Sequence, residues 1–133
     1  MKQTILHNAE KVRGLHAAIH ETFAHRAESQ QAYDRWKRAC DEFHRHYDEF
    51  AFPGGLSAAL DQLAAGDMTT AETAICYLEV HPYFFRSQYN ATALMRRLKP
   101  LSLREDLKER FDRVLLAARE RKLQRRQISN PKK

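Results

Sequence analysis

Seven histidines are the residues of this chain best equipped for chemistry, because imidazole ligates metals and titrates near neutral pH. His16 and His20 stand four apart, so on a helix they share a face at the spacing by which two imidazoles grip one ion. The flanking positions on that face, Val12, Arg13, Phe23 and Ala24, offer no third ligand. Asp41, His44 and Asp48 make one further trio on a shared face, and Glu42, His46 and Glu49 another. Either would need a ligand from a second helix. Beside Arg38 and Arg45 the same groups form ordinary surface ion pairs of about 0.3–0.5 kcal/mol each. No metal site is expected.

The nucleophiles read the same way. Cys40 falls on an apolar stripe, where a thiol behaves as a small hydrophobe. Cys76 has Glu72 and Glu79 within a helical turn, and nearby carboxylates disfavour the reactive thiolate. No serine stands in a Gly-x-Ser-x-Gly elbow. The four glycines, at 14, 54, 55 and 66, make neither a P-loop nor a dinucleotide fingerprint, so nothing cradles a phosphate by close backbone approach. Neither a catalytic residue nor a cofactor is expected, and the chain reads as non-enzymatic.

Binding chemistry is better represented. Tyr77, Tyr83, Phe84, Phe85 and Tyr89 are the densest run of rings, with His81, Arg86 and Asn90 among them. On a helix, three consecutive rings at 83–85 point around the axis, so at least one is exposed or covers a neighbouring helix. An exposed ring beside arginine has the composition of an interface hot spot; the alternative is that the rings pack the join between two helices. The partner-binding candidates are Glu79, His81, Tyr83, Arg86 and Tyr89.

The net charge of +6 is unevenly placed. Residues 1–55 balance eight Lys/Arg against eight Asp/Glu, and residues 56–81 carry four acids and no Lys or Arg. Residues 82–118 have eight basic and four acidic side chains, and residues 119–133 seven basic against Glu120. The first 118 residues are thus neutral and the excess lies at the end. Arg96, Arg97, Lys99, Arg119, Arg121, Lys122, Arg125 and Arg126 could neutralise phosphates or an acidic protein face. Equally, cations at a helix end simply suit its negative dipole. The 119–133 segment has no aromatic residue, so it lacks the stacking platforms of single-strand binders. A helix-turn-helix reader at residues 57–80 is disfavoured, because its second helix would bring Glu72 and Glu79 to phosphate.

These residues must be placed by helices. Of 133 residues, 43% are hydrophobic and 30% charged, with only four glycines and four prolines, which excludes collagen, low-complexity disorder and a turn-rich sandwich. From Ile5 to Phe50 apolar residues recur every three or four positions without proline. One helix of that length would run about 69 Å, against a radius of gyration near 14 Å for a compact chain of this size. A break around residues 26–31 fits a monomer better; an unbroken helix would need a partner along its length. Pro53-Gly54-Gly55 ends the region. A short helix over 57–65 is stopped by Gly66, and Thr69 with Glu72 reads as a capping box opening a helix to about Val80. Another spans about Pro82 or Tyr83 to Leu98. The last opens at Ser102 with Glu105 and carries Leu103, Leu107, Phe111, Val114, Leu115 and Ala118 at core spacing.

The sequence therefore predicts an all-α chain of five or six helices, in a compact bundle or short stack of helical hairpins. Residues 1–118 form one domain and residues 119–133 a basic helix extension and tail. Apolar runs fall far short of the ~20 residues that cross a bilayer, no signal peptide is apparent, and two cysteines are too few for a disulfide framework. A cytoplasmic protein without membrane contact is expected. The leading function is a non-enzymatic, adaptor-type module that binds a protein partner. The alternative is a sequence-independent nucleic-acid accessory protein using the basic C-terminal helix. Heptad spacing and opposed segment charges also point to a homodimer.

Overall fold

The absence of proline between Ile5 and Phe50 lets two long helices form, α1 (Lys2–Phe23) and α2 (Gln30–Ala51). The structure is a computed structural model and describes residues 1–129. The chain turns at residues 24–29, where the apolar stripe lapses. Ser29 closes that turn by accepting the Ala32 N–H at 3.0 Å, an N-cap for α2. The pair is an antiparallel hairpin: Phe23 meets Trp36, His16 meets Phe43, and the Lys11 ammonium lies 4.7 Å over the Phe50 ring.

Phe52 is extended, and Gly54 and Gly55 then turn the chain at φ 82° and 98°. A Cβ on Gly55 would sit 3.1 Å from Asp48 Oδ2. Asp48 needs that close approach, because its other oxygen accepts from Ser57 N–H at 2.9 Å and Ser57 Oγ at 2.6 Å. The carboxylate thereby satisfies a free donor in the first turn of α3 (Leu56–Ala64).

Three residues, Ala65, Gly66 and Asp67, join α3 to α4 (Met68–Val80). Gly66, at φ 83°, donates to the Leu63 carbonyl, and Asp67 N–H donates to the Gln62 carbonyl. This is the paired closure of a Schellman motif, which needs a left-handed residue at Gly66. Asp67 then accepts from Thr69 and Thr70 N–H at 2.9 and 3.3 Å, ending one helix and capping the next. The cap is therefore Asp67, and Thr69 already lies inside the helix, correcting the expected capping box.

α4 packs against α1, α3 and α5, and α3 against α2. Its Ala71, Ala74, Ile75, Cys76, Tyr77 and Leu78 are all buried. α5 covers Ser87–Leu98, shorter than the helix expected from Pro82 or Tyr83. Arg86 is left-handed at φ 66° and breaks the helical path ahead of Ser87.

The chain divides after Leu101 into two units. The first contains α1 to α5. The second contains α6 (Glu105–Ser129), which runs unbroken through Ala118. α6 starts at Glu105, so Ser102 lies ahead of its first turn and not at its cap. Residues 130–133 of the expected tail lie outside the described residues. Among the described residues the fold is all-α, with six helices and no strand, and no helix is long and apolar enough to cross a membrane.

Asp67→Ala removes a cap that serves two donors, and should destabilise the protein by about 1 kcal/mol. A urea unfolding midpoint unchanged from wild type would contradict this role.

Candidate functional site

α4 ends where His81 adopts the left-handed conformation (φ 52°, ψ 59°) and donates to the Tyr77 carbonyl at 2.9 Å. Five residues later Arg86 is left-handed again. The intervening turn is closed by Ser87, whose N–H donates to the Phe84 carbonyl at 3.0 Å while its Oγ accepts from Phe84 N–H at 3.2 Å. Each left-handed non-glycine residue costs about 1–2 kcal/mol, so contacts from elsewhere must hold this turn.

They come from the α1–α2 hairpin. Arg13 Nη1 donates to the Tyr83 carbonyl at 2.5 Å. Tyr47 Oη donates to the Phe85 carbonyl at 2.7 Å and accepts from Asn90 Nδ2 at 3.0 Å. Phe84 is buried with its ring 6.3 Å from Tyr47. Phe85 stacks on His16 at 4.8 Å and 20°, with Phe43 edge-on at 5.8 Å. The three rings at 83–85 thus lie on a turn, not around a helix: Phe84 points in, Phe85 covers the hairpin, and Tyr83 is 83% exposed.

The turn brings His81, Tyr83, Arg86 and Tyr89 to one exposed junction. Tyr89 is 65% exposed, and the Arg86 guanidinium lies 4.6 Å over its ring, a cation–π stack. Glu79, exposed in the last turn of α4, and His81 each have contacts of their own. Arg96, Arg97 and Lys99 are exposed at the end of α5. On α6, Arg119, Arg121, Lys122, Arg125 and Arg126 occupy about half the helix circumference, reckoned at 100° per residue.

Burial pushes the Tyr47 phenol above its ordinary pKa, opposed by the Asn90 hydrogen bond and the Arg86 charge, so it remains a donor at neutral pH. Tyr77 is pushed further up by its own burial. Its hydroxyl sits beside Asn90 but meets no partner at hydrogen-bonding geometry. Burial, then the charge of His20, lowers the pKa of His16 from its ordinary 6.5.

The histidine groupings find other uses. His16 and His20 meet edge to face at 4.6 Å. Asp48 serves α3, and His46 sits 3.2 Å from Glu42, which also pairs with Arg45. Among the described residues no group of three His, Cys, Asp or Glu side chains could hold a metal. A cleft of about 300 Å³ opens beside Phe52, Pro53 and Gly54 and is lined by Gln62, Thr69, Thr70, Thr73 and Met1; it carries no carboxylate, imidazole or thiol side chain.

No family model, curated protein or solved structure matches this chain.

Sequence reasoning missed the clamp of Arg13, His16, Tyr47 and Asn90, since no local pattern joins residues up to 70 positions apart. It also missed a second cation–aromatic cluster at the hairpin tip. There the Arg26 guanidinium covers the Phe23 ring at 3.5 Å and approaches Trp36 at 5.9 Å, beside half-exposed Tyr33. Tyr33 and Trp36, one turn apart, were a legible half of it.

Tyr47→Phe leaves the buried Asn90 amide without its acceptor, while the exposed Phe85 carbonyl can turn to water, and should cost about 1–2 kcal/mol. Tyr77→Phe removes only an unpartnered hydroxyl and should be neutral, or stabilising by up to about 1 kcal/mol. Equal losses in urea denaturation would refute the contrast.

Because the fold lowers the His16 pKa, the unfolded chain binds more protons just below pH 6.5, and stability falls on acidification. The contribution is complete above the ordinary pKa and is lost as pH drops through the folded one. An NMR titration placing the folded His16 pKa above 6.5 would reverse the sign.

Proposed function

We propose that this chain is a non-enzymatic, cytoplasmic interaction module that binds a protein partner through the α4–α5 junction. The observation that carries this reading is the outward presentation of Tyr83 from a turn whose carbonyls are held by Arg13 and Tyr47, with exposed Tyr89 beside it in the first turn of α5. Large rings are ordinarily withdrawn from water, and the held backbone beneath Tyr83 leaves little loop ordering to be done on binding. Tyrosine and arginine are also the residue types enriched among interface hot spots.

A second reading, sequence-independent phosphate binding, is supported by the one-sided cations of α6. Salt separates the two: phosphate contact weakens steeply between about 50 and 200 mM salt, and a packed aromatic interface does not.

The test is a pull-down from nuclease-treated source lysate at low and moderate salt. It compares the wild type with Tyr83→Ala/Tyr89→Ala and with a variant carrying alanine in place of Arg119, Lys122, Arg125 and Arg126. A defined protein should be retained by wild type and by the α6 variant at moderate salt. Loss of the two tyrosines should weaken it by about 2 kcal/mol or more. Recovery that needs nucleic acid, the α6 cations and low salt would establish the second reading instead.

A further inference from the structure

We propose that the outward face of α5 is a docking strip for an acidic amphipathic helix of a partner protein. This rests on the protein-binding reading above and specifies the partner's chemistry. α5 turns Ser87, Asn90, Ala91, Leu94 and Leu98 inward. At 100° per residue, Tyr89, Ala93, Arg96 and Arg97 fall within an arc of about 100° on another side, and the Arg86 guanidinium joins them by lying over the Tyr89 ring. Arg86 and Tyr89 from the aromatic junction and Arg96 and Arg97 from the basic run, read separately from the sequence, therefore lie along one face.

The charge of that face is of one sign. α5 contains no acidic residue, and no carboxylate among the described residues pairs with Arg86, Arg96 or Arg97. The Tyr89 ring holds the Arg86 guanidinium at its face, which leaves the planar fork less freedom to lose when it pairs with a carboxylate. Arg86 and Arg97 are about 16 Å apart along the axis at 1.5 Å per residue. Between them Ala93 is small and half-buried, so a second helix can approach to the usual 8–10 Å. The matching partner has carboxylates ten or eleven residues apart on one face and an apolar side chain between them, seated over Ala93 against Tyr89.

A single-stranded nucleic acid fits this strip less well. Its phosphates could use the arginines, but its bases need successive stacking platforms. Beyond Tyr89 the strip presents Ala93 and no further ring.

The test is fluorescence anisotropy on the full chain with a fluorescein-labelled peptide of repeated Glu-Ala-Ala-Leu-Glu-Ala-Ala heptads. Its glutamine-for-glutamate counterpart and labelled oligothymidylate serve as competing probes. The glutamate peptide should bind, with the glutamine peptide at least about tenfold weaker. Arg96→Ala/Arg97→Ala and Arg86→Gln should each weaken binding about tenfold while leaving circular dichroism unchanged, and the fourfold α6 variant should bind like wild type. Three results overturn the proposal: no binding or equal binding of the two peptides, loss on the α6 variant but not on the strip variants, or oligothymidylate displacing the peptide through Arg86 and Arg96. If the strip fails while Tyr83→Ala/Tyr89→Ala still loses a protein from lysate, the junction reading survives and only the acidic helix is wrong.

Discussion

The Tyr47 hydroxyl is where three parts of the first unit meet. It belongs to α2, donates to a carbonyl of the α4–α5 turn, and accepts from Asn90 of α5. A turn with a left-handed residue at each end cannot rely on helical hydrogen bonds to stay in place. It takes its geometry from Tyr47 on one side and Arg13 on the other, with Phe84 and Phe85 filling the space between. Burial pushes the phenol's pKa upward, so the donor persists at neutral pH. The outward tyrosines inherit their positions from this inward one.

Much of the helical frame was legible because it depends on short-range chemistry. The turn between α1 and α2 fell where the apolar stripe lapses, Gly66 ended α3, and α4 stopped at Val80 before His81-Pro82. The errors lay where two local solutions compete. Thr69 and Glu72 have capping-box spacing, but Asp67 is placed one residue before the helix by the glycine turn and takes the donors first. The start of α5 was misjudged because nothing in Phe84-Phe85-Arg86 announces a left-handed arginine; tertiary contacts impose it. The clamp itself could not be read, since its members become neighbours only after folding.

The titratable residues show how spacing misleads when taken alone. Asp48 shares a helical face with His44, yet its carboxylate is spent on the first turn of α3. His46 lies between Glu42 and Glu49, and Glu42 is shared with Arg45. Such groups are consumed by local electrostatics. By contrast, Arg86, Arg96 and Arg97 line one face of a helix that has no acid, and this one-signed patterning makes α5 stand apart from α2, where charges of both signs alternate.

Loop-closure entropy orders the assembly. The two hairpin joins, at residues 24–29 and 65–67, bring neighbours together across short stretches of chain. The Arg13–Tyr83 and Tyr47–Phe85 bonds close loops of 70 and 38 residues, which cost more entropy before contacts repay it. The tyrosine-bearing turn is accordingly held only when both of these distant closures have been made. For a partner of the proposed kind, Tyr83 and Tyr89 would stand in register only on chains whose first unit has assembled, so the same contacts that hold the turn would also mark the folded copy.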